Sequence, residues 1–279
     1  MIPGVNNPNL MIMRNGIQFL NSITDVKPDM AGQIAVSGSH GGLYPASLAS
    51  RAGLSGIVFN DAGGGLENAG AEGIFALEPY GVAALCADCM SCIIGSAEDT
   101  YENGLVSQAN KIAVSLGIWP GMPISTALDL IEPHPMTGGQ MEKHPEARFN
   151  VDLDDHGPSV LAVDSASLVT SDDAGLIIVT GSHGGLIGGD PARALKARAK
   201  LGVFNDAGFG KNRIGISRLP ALNERGIAAL TVSHATCRIG DARSALASGL
   251  ISTCNATAST LGAREGDRLD HFLMTHLGV

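Results

Sequence analysis

Two segments of this chain set a serine and a histidine ahead of paired glycines. Ser37-Gly38-Ser39-His40-Gly41-Gly42 recurs as Thr180-Gly181-Ser182-His183-Gly184-Gly185. Two more place an aspartate after an asparagine, Asn60-Asp61-Ala62-Gly63 and Asn205-Asp206-Ala207-Gly208. Serine, histidine and aspartate are the side chains of nucleophilic acyl transfer, in which a base takes the hydroxyl proton and a carboxylate orients the base. Ser39 and Ser182 are the candidate nucleophiles, His40 and His183 the candidate bases, Asp61 and Asp206 the orienting groups. The spacing Ser37-x-Ser39-x-Gly41 matches a strained nucleophile elbow. Gly41, Gly42, Gly184 and Gly185 are expected to take positive φ and to offer their amides as an oxyanion or anion cradle at a helix start. Asn60 and Asn205 are candidate substrate contacts. The same residues also suit plain structural roles: a serine caps a helix, and Asx side chains close turns on their own backbone.

The cysteines form a third cluster, Cys86-x2-Cys89-x2-Cys92. In the second half Thr231, His234 and Cys237 stand at those positions, so only Cys92 recurs, as Cys237. A zinc ion on Cys89, Cys92, His234 and Cys237 is one chemistry open to this set; small buried hydrophobes is the other. No cofactor is expected, zinc being the single candidate. One cysteine from each of two halves resembles the cofactor-independent amino-acid racemases, and Cys254-Asn255-Ala256-Thr257 resembles a Cys-Asn-Thr motif of that superfamily. The resemblance rests on these few residues and implies that Cys92 and Cys237 move a proton as an acid/base pair. Cys254 departs from it, because it falls in an expected helix and stands opposite Ala109.

The elements that must position these groups follow from an internal repeat. Residues 81–118 align with 226–263 without a gap, with 15 identities in 38 positions. The repeated cores span 31–118 and 174–263. Each reads as a short apolar run, the Ser-His turn, a helix-like stretch (43–51; 191–200), a second run ending in Asn-Asp, a third run, and a closing helix (102–116; 244–261). Continuous apolar strands alternating with helices indicate a parallel sheet. The expected fold is α/β: two tandem copies of a small parallel-sheet unit related by a pseudo-two-fold axis. Residues 1–118 form the first copy with its extension, 119–158 a proline-rich linker or lid, and 159–279 the second copy with its extension. Ligands of such sheets bind beyond the carboxyl ends of the strands, where the repeated polar turns fall. His271 and His276, near the end of the chain, read as exposed helix residues.

Charge separates the copies. Residues 31–118 hold two basic and eight acidic side chains, and 174–263 hold ten basic and four acidic. The imbalance either draws the halves together or leaves the second with arginines for an anionic substrate, Arg238 and Arg243 being the candidates. A net charge of -9 argues against a nucleic-acid partner. No apolar run reaches the roughly 18–20 residues of a membrane span. Five cysteines without a secretory leader point to reduced thiols in the cytoplasm. Self-association into a homo-oligomer is compatible with the charge pattern.

These features predict an enzyme for a small, polar, carboxylate-bearing metabolite bound between the copies, hydrolysing a C–N bond of a linear or cyclic amide. The alternatives are an isomerase, racemase or lyase using Cys92 and Cys237, and a non-enzymatic small-anion binder.

Overall fold

The structure is a computed structural model and describes residues 16–136, 138–152 and 159–278. Residues 153–158, at the end of the expected linker or lid, therefore lie outside the described residues. The chain builds two mixed sheets with helices against them. The first has strands β1 (Ile17–Leu20), β2 (Ile34–His40), β3 (Gly56–Asn60), β4 (Ala83–Ala87) and β5 (Val106–Ala109), in that order. The second runs β11-β10-β9-β8-β7-β6, with β6 (Arg148–Val151), β7 (Val160–Val163), β8 (Ile177–His183), β9 (Leu201–Asn205), β10 (Ala228–Val232) and β11 (Ile251–Cys254). Helices α1 (Leu43–Arg51), α2 (Glu72–Ala76), α3 (Ala97–Asn103), α4 (Lys111–Ser115) and α5 (Ile124–Leu128) serve the first sheet. Helices α6 (Arg218–Glu224), α7 (Ala242–Ser248), α8 (Ala256–Thr260) and α9 (Leu269–Leu277) serve the second.

The central strands β1–β4 and β7–β10 are parallel and nearly all apolar, as burial on both faces requires. The all-parallel expectation is corrected at the edges. β5 and β11 run antiparallel to β4 and β10, and β6 runs antiparallel to β7. The expected closing helices are each broken by one of these edge strands. Gly104 and Gly249 end α3 and α7 in extended backbone, and the chain turns back along the sheet. Asn110 and Asn255 then restart a helix: each side chain caps the next turn while its Nδ2 donates to two buried carbonyls, Ile74 and Val82 or Leu219 and Ile227. Cys254 consequently sits at the end of a strand, not inside a helix.

The helix expected over 191–200 reduces to a single 3-10 turn at Pro191–Arg193. Arg218 and Arg225 donate to the carbonyls of Ala194 and Leu195, which a continuing helix would need for itself. Segments expected to be extensions join the sheet units. β1 and β7 pair with β2 and β8 in the same way, and the chain entering α5 and α9 bridges to Leu105 and Leu250.

Each sheet carries apolar packing on both faces. A small cluster of Ala62, Ala69, Ile94, Ala207 and Ile239 lies between the halves. There the Leu66 amide donates to the His234 carbonyl and the Lys211 amide to the Cys89 carbonyl, each at 2.8 Å. The charge imbalance of the sequence reappears as ion pairs across this junction: Arg238 to Glu67 at 2.6 Å and to Glu72, and Lys211 to Asp99 at 3.2 Å. No helix among the described residues is long and apolar enough to cross a membrane.

Candidate functional site

β2 and β8 end in the Ser-His turns. A register shift between Val36 and His40, and between Val179 and His183, brings each histidine opposite the asparagine ending the next strand. The carbonyls of Gly38 and Gly181 accept from the amides of Gly95 and Gly240; a Cβ on Gly38 would lie 2.7 Å from Gly95 and Ser96 backbone, so glycine is needed for close approach. Neither serine takes positive φ, so no nucleophile elbow forms. Ser39 Oγ accepts the Ile23 amide at 3.0 Å and Ser182 Oγ accepts the Ala166 amide at 2.9 Å, tying each turn to its neighbouring loop.

The imidazoles are held by their own turns. The Gly42 amide donates to His40 Nδ1 and the Gly185 amide to His183 Nδ1, each at 3.2 Å. A Cβ would meet the ring at 2.9 Å at Gly42 and at 3.0 Å at Gly185. The glycines therefore serve close approach and not the positive φ expected of them, since neither backbone is left-handed. With Nδ1 accepting, the ring proton resides on Nε2. Burial pushes His40 down to about 4. Burial also holds His183 well below the usual range, and the nearby charges of Arg218 and His40 add to the effect. Both rings are thus neutral Nε2–H donors near pH 7. The glycine amides are spent inside the protein, Gly41 and Gly184 on the carbonyls of Asn60 and Asn205 and Gly42 and Gly185 on the imidazoles, so they form no free cradle of backbone amides.

Both turns line one cavity of about 640 Å³ between the halves, through Ser39, His40, Ser182 and His183. Within 119–158, residues 144–146 line the cavity. The segment passes over α1, where the Met141 amide donates to Ser50 Oγ, and brings Glu146 into the cavity. Glu146 stands beside Tyr44 and Ser165; burial is the largest influence on its carboxyl and raises it above the usual range. Burial and Glu146 push Tyr44 up to about 12.

The aspartates stand elsewhere. Asp61 Oδ1 accepts the amides of Gly63 and Cys89, and Asn60 Oδ1 accepts that of Ala62, which is left-handed at φ 51. Asn205 and Asp206 repeat these turns. Asp206 additionally accepts from His234 Nδ1 at 2.8 Å, and this bond outweighs the lowering effect of burial and holds the His234 imidazole above its usual range. Asp206 Oδ2 is buried with no partner. No aspartate from these turns reaches His40 or His183, so the Ser-His-Asp triads are not assembled.

Cys92 and Cys237 are fully buried in separate cores, beneath Asn60 Nδ2 and Asn205 Nδ2 at 3.3 and 3.5 Å. Burial pushes their thiols up to about 11 and about 12. Neither thiol nor either asparagine is among the residues lining the cavity. Cys89 and His234 instead meet the Gly63–Gly208 contact at the junction. The expected zinc quartet is therefore divided among three places. Cys89 has Asp61 and Asp88 as neighbours, their ligand atoms within 4.8 Å of one another.

Arg238 and Arg243 line the cavity but are already engaged, Arg238 by Glu67 and Glu72 and Arg243 by the Phe149 ring at 3.8 Å. The arginine that sequence reasoning missed is Arg218, 3% exposed and also in the wall. Its signal was the repeat itself, which sets Arg218 against Gly73. Glu146 had no such signal, because the crossing segment has no counterpart. No family model, curated protein or solved structure matches the chain.

Proposed function

We propose that the chain is an enzyme for a small carboxylate-bearing metabolite, and that it hydrolyses a C–N bond of a linear or cyclic amide in the cavity between the halves. The observation that carries this reading is the pair of strand-end histidines, each fixed as an Nε2–H donor by a glycine amide and both lining the same space. A neutral imidazole in a water-poor site polarises a carbonyl and holds the oxyanion that forms from it. The base is Glu146, whose carboxyl burial raises above the ordinary range, which makes it a stronger proton acceptor. Glu146 takes a proton from water as the oxygen adds to the carbonyl carbon. The tetrahedral oxyanion rests on an imidazole N–H, the C–N bond breaks, and the leaving nitrogen receives the proton from Glu146. This route asks no proton transfer of Ser39 or Ser182 and needs no metal or cofactor.

We further propose that the halves descend from one duplicated unit and face each other about a pseudo-two-fold axis. The recurrence of the histidine clamp, the Asx turns and the buried asparagine at matching positions supports this. The function is tested by screening linear and cyclic amides of small carboxylic acids for release of acid and amine. Turnover that falls in both His40→Gln and Glu146→Gln supports it. Turnover indifferent to both, or none on any such amide, overturns it.

A further inference from the structure

We propose that the two histidine turns have divided their labour: His183 and Arg218 seat the substrate's carboxylate, and His40 faces the group that reacts. This rests on the reading of the cavity above and adds the orientation of the substrate. The carrying observation is what surrounds each turn. In the first half the Gly73 amide donates to the Gly41 carbonyl at 2.8 Å; in the second the Arg218 amide makes the same 2.8 Å bond to Gly184. A Cβ at Gly73 would collide with the Gly42 carbonyl, so the first half has no room for a side chain there.

Arg218 fills that position with a buried guanidinium. Its Nε donates to the Gly185 carbonyl at 3.0 Å and its Nη1 to Ala194, while the plane lies 5.2 Å from the Phe204 ring. These bonds fix the fork beside His183, whose own turn supplies one of the acceptors. Among the described residues none accepts from Nη2. A guanidinium held by carbonyls through Nε and Nη1, in the cavity wall and with Nη2 uncommitted among the described residues, is a preformed carboxylate seat. Arg193, whose carbonyl lies 3.4 Å from Arg218 Nη1, is also in the wall and adds positive charge beside it.

The first turn has different neighbours. Glu72, Tyr44 and Glu146 line the cavity, Glu72 paired with Arg238, and the second half has Ser217 and Ile187 in place of Glu72 and Tyr44. Because Gly73 stands where the second half has Arg218, the first turn offers a carboxylate no guanidinium from that position, and an amide carbonyl takes the His40 N–H with Glu146 in the same cavity. The substrate class is therefore a carboxylic acid with its amide group at the other end, bound in one orientation.

The test uses the full chain and succinate as the carboxylate probe, followed by calorimetry and by imidazole 15N resonances. His183→Gln and Arg218→Lys should each weaken succinate at least about tenfold, and His40→Gln less than about threefold. Succinate should shift the His183 Nε2 resonance more than that of His40. Equal loss in His40→Gln and His183→Gln, or no saturable binding to the unaltered chain, overturns the proposal. If Arg218→Lys does not fold, the contrast between the two histidine variants decides. One-sided succinate binding without amide turnover would sink the hydrolase reading and leave the seat standing; turnover with equal succinate loss would do the reverse.

Discussion

His234 Nδ1 lies 2.8 Å from Asp206 Oδ1, so the buried aspartate of the second half holds a histidine of the following loop and not the strand-end His183. The pair sits at the junction of the halves, packed against Gly63. Its effect on stability has a definite sign. A raised imidazole gives stability that is fully present below the ordinary histidine value and is lost as pH rises through the folded one. Urea midpoints of the natural chain should therefore fall relative to His234→Gln as pH climbs from about 6.5. A difference that does not change with pH would contradict this.

The strand-end histidines act with the opposite sign. The folded state holds them neutral while the unfolded chain protonates them near 6.5, so stability is present above that value and lost as pH falls below it, for His40 down to about 4. For His40 the shift corresponds to at most about 3 kcal/mol. His40→Gln should flatten the decline between these limits in urea titrations; a slope equal to that of the natural chain would rule the assignment out.

Glu146→Gln removes the base without removing the wall. The expected result is a fall in kcat of about 10²–10⁴ with KM changed only a few-fold. In the natural chain kcat should rise with pH through the raised Glu146 value, because the base acts when ionised. A KM effect alone would reduce Glu146 to a binding group.

Gly185→Ala introduces a Cβ 3.0 Å from His183 Nδ1 and 3.0 Å from Ile94 Cγ2. The ring must tilt or the halves must part, at about 1–3 kcal/mol of stability. The His183 Nδ1 resonance should move as its bond to the amide stretches. An unmoved resonance in a folded variant would show that the clamp does not set the ring.

Asn255→Ala leaves the carbonyls of Leu219 and Ile227 without their donor and uncaps α8. The expected loss is about 2–4 kcal/mol in denaturant unfolding. A loss under about 1 kcal/mol would mean that water replaces the amide.

That asparagine also marks where the sequence was hard to read. The central strands and the turns that end them were legible, because apolar runs buried on both faces break sharply into Gly, Ser, His, Asn and Asp. The edge strands β5 and β11 were not, since Ser107, Gln108, Ser252 and Thr253 carry no apolar run and the flanking residues suit a helix. Asn110 and Asn255 held the missing signal, an N-cap repeated in both halves. At the site, sequence placed His40 and His183 at strand ends but paired them with the nearest aspartates. The aspartates are taken by Asx turns within three residues of chain, a local competition that spacing does not reveal. Lost helicity over 191–200 was equally hidden, because the arginines that take its carbonyls come from α6 and the turn after it.

The measurement closest to the central claim is a long-range 1H–15N correlation spectrum of the histidine-labelled chain across pH 5.5–8. Among the 8 histidines, His40 and His183 should show a protonated Nε2, an unprotonated Nδ1 and no titration over that range. Assignment by His40→Gln and His183→Gln completes the reading. Either ring titrating near 6.5, or carrying its proton on Nδ1, would contradict the paired-donor mechanism.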